Sequence, residues 1–208
     1  MSAAMNINIS KSGRVVRTND STISIALWLF IGVASALFLL FLAAYVMRMD
    51  AQDWSPIVMP WQLWISTALL IVASGLLHLA SSARRLTSAR NFLAAAGVCG
   101  MLFLGVQMWG WQALLSMHVT PVGNPAGSFF YLLTAMHGLH VFGGLVGWGR
   151  TARSAWFRAS VDVEMVNVHW RIALCARYWD FLLLVWIVLF AALGWLTPEV
   201  VRWVCGTR

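Results

Sequence analysis

Five side chains in long apolar surroundings carry most of the chemistry this sequence can offer. Asp180 is the single carboxylate within or at the edge of an apolar run long enough to cross a membrane. Intramembrane carboxylates are costly to hold and usually serve proton relay or ion pairing. Asp180 therefore has two readings. It is a proton relay or antenna, or an interfacial acid paired with Arg177, three residues earlier on one helical face. His78, His137 and His140 stand in two further apolar runs, with His137 and His140 three apart and so on one side of their helix. Two such imidazoles at matching depth, His78 with His137 or His140, would make a bis-histidine haem site. Without that match they are interhelix hydrogen-bonding groups, and Gln107 joins His78, His137 and His140 in that role.

Other chemistries lack their residues. Cys99, Cys175 and Cys205 match no zinc or redox spacing, and Cys99 reads as a buried structural thiol. His118 and His169 are assigned to connectors. No nucleophile with its base, no phosphate-binding loop and no carboxylate cluster for a metal is present, so no catalysis is expected from this chain by itself. Its site prediction is accordingly catalytic none, metal none and cofactor none. Nor is there a broken helix pair with polar groups at mid-depth, the mark of a small transporter.

The elements that position these residues follow from composition. Of 208 residues, 61% are hydrophobic and 10% charged; an average soluble domain has about 25% charged. A bilayer core of about 30 Å needs roughly 20 apolar residues as a helix. Five runs qualify, near Ile23–Met47, Trp61–Ser82, Phe92–Leu115, Gly127–Trp148 and Tyr178–Leu196. The fold class is an all-α integral membrane protein with five transmembrane helices. Its parts are a polar segment over 1–22, a five-helix domain over 23–199 and a tail over 200–208. The first segment has no apolar stretch of the secretory-leader kind, so the first run is expected to remain as a span.

Orientation follows from the basic residues. Lys11, Arg14, Arg17, Arg84, Arg85, Arg90, Arg150, Arg153, Arg158, Arg171 and Arg177 would share one side, against Arg48, Arg202 and Arg208. The positive-inside rule puts the N-terminus in the cytoplasm and the C-terminus outside. The net charge of +7 forms no continuous patch, so no nucleic-acid partner is expected. Trp54, Trp61, Trp64, Trp109 and Trp111 cluster at predicted outer ends and Trp148 at an inner one, as aromatic belts do. Loops Asp50–Pro60 and Ser116–Ala126 read as tight turns. A connector from Gly149 to Arg177, with Trp156, Phe157 and Trp170, reads as a segment lying at the cytoplasmic interface. Arg150 and Arg153 after the fourth run, with Arg177 and Trp179 opening the fifth, gather cations and an indole on one rim suited to a phospholipid headgroup. Gly143 and Gly147 form a small-xxx-small pair for packing within the fold or against a partner.

Several stretches together resemble subunit III of the haem–copper terminal oxidases in its short five-helix form. They are Trp28-Leu29-Phe30, Ala43-Ala44-Tyr45, Ser66-Thr67-Ala68-Leu69-Leu70, Ala83-Arg84-Arg85, Phe103-Leu104-Gly105-Val106-Gln107 and Asn124-Pro125-Ala126-Gly127-Ser128. Most specific are His137-Gly138-Leu139-His140-Val141 and Tyr178-Trp179-Asp180-Phe181. The likeness runs from about residue 27 to 196. It implies a subunit without its own redox centre in a bacterial inner membrane. Such a subunit packs on catalytic subunit I beside further oxidase subunits, holds phospholipid and supports proton uptake in aerobic respiration. Haem and copper belong to the partner chain, and cytochrome c or quinol is the donor.

Departures from the pattern matter. Ala34 and Gly110 stand where the family commonly has glutamates, Asp180 replaces a histidine, and Leu183 a later aspartate. No proton path through this chain is therefore expected, while packing and lipid roles survive. An accessory subunit of a nitric-oxide-reducing complex, and a small haem-binding electron-transfer protein, are the alternatives.

Overall fold

The computed structural model describes the backbone of residues 2–49, 54–55, 57–157 and 162–196, with side chains at 22–49, 54–55, 57–157 and 168–196. Lys11, Arg14, Arg17, Arg158, Arg202, Arg208 and Cys205 fall outside the described side chains. Among the described residues five helices follow in order: α1 (Ser2–Arg48), α2 (Gln62–Ser82), α3 (Leu86–Ser116), α4 (Pro125–Phe157) and α5 (Asp162–Trp195). Each contains a stretch long and apolar enough to span a bilayer, over Thr22–Arg48, Gln62–Ser82, Leu86–Ser116, Pro125–Phe157 and Val168–Trp195. No strand occurs among the described residues. Helices are what such sequences must form, because lipid offers no partner to backbone N–H and C=O groups. This is a multi-pass membrane protein.

Two units make up the chain, Met1–Leu37 and Phe38–Arg208. The first is the leading part of α1, which exposes Ile25, Trp28, Leu29 and Val33. The second holds the last turns of α1 and the other four helices. Within it, α2 and α4 each pack between α3 and α5, which closes a four-helix ring. Outward faces carry Leu79, Val98, Leu139, Phe142, Leu184 and Ile187, all exposed as lipid-facing residues are.

The bundle interior is built from small residues met by large rings. A Cβ on Gly97 would overlap the Trp148 indole, and one on Gly100 would overlap the Trp179 indole. A Cβ on Gly144 would come within 2.9 Å of the Tyr178 ring. These glycines let whole rings lie on the neighbouring backbone, and in lipid such packing is the main attraction between helices. Trp148 Nε1 also donates to the Leu93 carbonyl at 2.8 Å, which fixes its ring over α3. The expected Gly143–Gly147 pair does not serve the bundle. A Cβ at either would meet nothing within 4 Å, and Gly144, one step round the helix, makes the contact.

Over 149–157 and 162–177 the expected interfacial connector is helix instead. α4 continues to Phe157 and α5 begins at Asp162, so His169 is helical as well. A helix does not stop at the membrane surface when its next residues are Arg, Ser and Ala, which continue it readily. The end of the bundle is tied by polar contacts. Arg90 Nε donates to the Ala155 carbonyl at 2.9 Å, and His169 Nε2 donates to the Ala83 carbonyl at 3.0 Å. At the opposite end, Asn124 caps α4 with Pro125 in its first turn, a favoured helix start. Its Oδ1 accepts from the Ala126 N–H at 3.1 Å, and its Nδ2 donates to the Ser55 carbonyl at 2.9 Å. One side chain thus starts α4 and fastens the two loops together.

Candidate functional site

Asp180 is held from α2, not from its own helix. Ser74 Oγ donates to its Oδ1 at 2.5 Å. His78 Nε2 lies 2.9 Å from Oδ2 and 3.1 Å from Oδ1. Ser74 and His78 are four apart on one face of α2, so both reach a single carboxylate on α5. The expected pairing with Arg177 is therefore corrected: the described residues contain no ion pair between them, and Arg177 is exposed. Three residues along one helix cannot outbid two hydrogen-bond donors that face the carboxylate directly. Side-chain exposures of 56% for His78 and 42% for Asp180 leave the pair open on one side, while Ser74 is buried.

The order of the three groups limits their chemistry. The carboxylate sits in the middle, so Ser74 gives its proton to an acid and not to the imidazole. A nucleophilic serine needs the base beside it and the acid beyond. This arrangement can hold a proton between imidazole and carboxylate and can clamp α2 to α5. It cannot activate Ser74.

The other histidines are built into the packing. His140 Nδ1 donates to the Met136 carbonyl at 2.7 Å, and Tyr178 donates its hydroxyl to the His140 carbonyl at 3.0 Å. His137 is fully buried. Its ring stands 5.1 Å from Trp186, 5.7 Å from Phe103 and 6.3 Å from Phe38. Trp186 is fixed in turn by donating to Thr67 Oγ1 at 2.9 Å, and Trp111 by donating to Thr134 Oγ1 at 3.1 Å. Gln107 is buried as well, and neither it nor His137 has a side-chain partner among the described residues. No group of three His, Cys, Asp or Glu residues placed to hold a metal ion occurs among the described residues.

At the far end of α4, Arg150, Arg153, Ser154 and Phe157 line an open cavity of about 750 Å³ together with Arg171 of α5. Two of the expected rim residues are here, and the third guanidinium is Arg171. Trp179 is 1% exposed, lying across Gly100 inside the bundle, so it does not face the rim. Sequence reasoning passed over Arg171 because it was placed in a connector; nine residues before Asp180 on a continuous helix, it is brought beside α4.

No family model matches the sequence. Among curated proteins, the probable cytochrome c oxidase subunit 3 of Mycobacterium tuberculosis is 33% identical over 109 residues, 50% of this chain and 49% of that one. The chain thus spans about half the length of that relative. Cytochrome c oxidase subunit 3 of Synechocystis sp. is 30% identical over 178 residues, covering 78% of this chain and 70% of its own. The chain belongs to the cytochrome c oxidase subunit 3 family. Subunit 3 of a cytochrome bo(3) ubiquinol oxidase, from Buchnera aphidicola, is 26% identical over 129 residues, 61% of each chain. In this family member polar groups gather in three places: a helix clamp at Ser74, His78 and Asp180, a buried set at Gln107 and His137, and an arginine-lined cavity.

Proposed function

We propose that the chain is a structural subunit of a haem–copper terminal oxidase in a bacterial inner membrane. It carries no redox centre of its own, packs on the catalytic subunit and supports proton uptake by that subunit. The observation that carries this reading is membership of the subunit 3 family over most of the chain. It is supported by the use to which the polar residues are put, since His78, His140 and Asp180 hydrogen-bond within the bundle. The electron donor is cytochrome c or quinol, the two named for its relatives.

Purification of the tagged chain from its native membrane is the test. Haem absorption and a co-purifying catalytic subunit are expected in the assembly, and no haem in the chain expressed alone. Stoichiometric haem in the single chain would sink this reading in favour of an electron-transfer protein. A nitric-oxide-reducing partner would move the chain to a related complex. In a strain lacking the chain, oxygen reduction should begin normally and then inactivate faster.

The same reading has the arginine cavity hold an anionic phospholipid. Three guanidiniums around one opening suit a phosphate, which arginine meets with paired N–H donors. Native mass spectrometry should find phospholipid retained by the parent and lost when Arg150 and Arg153 become Ala. Equal retention would count against the site. This placement assumes a cytoplasmic rim, so a reporter at Arg85 should read inside and one at Asn124 outside.

A further inference from the structure

Six buried polar side-chain atoms have no partner among the described residues: Nε1 of Trp179 and, on three further side chains, both amide atoms of Gln107, both ring nitrogens of His137 and Oε1 of Gln62. The three side chains are 1%, 0% and 5% exposed. They come from α3, α4 and α2, and helix register brings them to neighbouring levels. Trp111 bonds Thr134, and Phe103 packs on His137, so antiparallel α3 and α4 place Gln107 beside the turn from Thr134 to His137. Gly110 is one turn beyond Gln107 and faces α2. A Cβ there would meet Gln62 Cβ at 3.8 Å and nothing else within 4 Å, although Gly110 itself is buried. The bundle has room at this point, and the room is bordered by amides.

Bare groups of this kind are costly in a span, because lipid and apolar side chains offer no hydrogen bonds. A direct bond between Gln107 and His137 would satisfy one atom of each and leave three atoms unmet. A water molecule has two donors and two acceptors and can serve three neighbours together. Buried waters typically make about three such bonds, to groups that are otherwise unsatisfied.

We propose that Gln62, Gln107 and His137 hold an internal water beside Gly110, joining α2, α3 and α4 in the middle of the ring. His137 keeps one nitrogen for that water. The packed rings of Phe38, Phe103 and Trp186 close the site on its other side. The water links three helices where no direct side-chain bond does, and it fixes their rotation.

Two measurements on the full chain in its native assembly decide this. Electron cryo-microscopy at a resolution that shows waters should find a rounded peak within hydrogen-bonding distance of Gln107 and of Gln62 or His137. A direct Gln107–His137 contact with no peak between, or no peak at all, would overturn the proposal. Gln107→Leu should melt lower than the parent, by on the order of 4 °C, because the other two groups lose their bridge. An unchanged or higher melting temperature would also overturn it, since leucine improves a site that was dry. If the variant does not fold, the density of the parent alone gives the answer.

Discussion

Gly97→Val is expected to lower the stability of the folded chain by about 3 kcal/mol, within the range of severe overpacking. The added atoms fall inside the Trp148 indole, whose ring lies directly on the α3 backbone. Trp148 cannot swing aside without cost, because its N–H would lose the Leu93 carbonyl that it bonds at 2.8 Å. The α3–α4 contact must therefore open. Thermal melting in detergent measures the loss, and Gly105→Val supplies the control. It lies on the same helix, where a Cβ would meet nothing within 4 Å, and should change little. Equal loss in both variants would mean that the helix backbone, and not the Trp148 contact, requires glycine.

Asp180→Ala should cost about 2 kcal/mol, because it removes the acceptor of two hydrogen bonds and strands the buried Ser74 hydroxyl. A double-mutant cycle with His78→Ala should give a coupling of about 1 kcal/mol, toward the low end for a charge-assisted pair because water reaches one side of it. Coupling near zero would show that the clamp adds nothing to the α2–α5 contact. Asp180→Asn keeps an acceptor for Ser74 and should lose about half as much. In vesicles, initial turnover and proton pumping of the assembly with Asp180→Asn should match the parent. Pumping that collapses while assembly and haem content stay normal would make Asp180 a proton-handling residue.

The sequence by itself determined the number of spans and the family. Each span rests on a local property, some twenty apolar residues in a row, and no partner is needed to read it. His137 to Val141 and Tyr178 to Phe181 announced subunit 3 for the same reason, being short contiguous stretches. The clamp was half legible. Asp180 was singled out as a carboxylate needing a partner, but its partners proved to be Ser74 and His78, more than a hundred residues earlier. Arg171 and Trp179 were assigned to the wrong surroundings, one to a connector and the other to a rim. Only the tertiary structure decided these. A spanning helix is apolar on nearly every side, so its composition says that it crosses and hardly says how it is turned about its axis. That rotation is set by which ring lies on which glycine, as Trp148 on Gly97 and Trp179 on Gly100 do here, and it alone determines which polar groups meet.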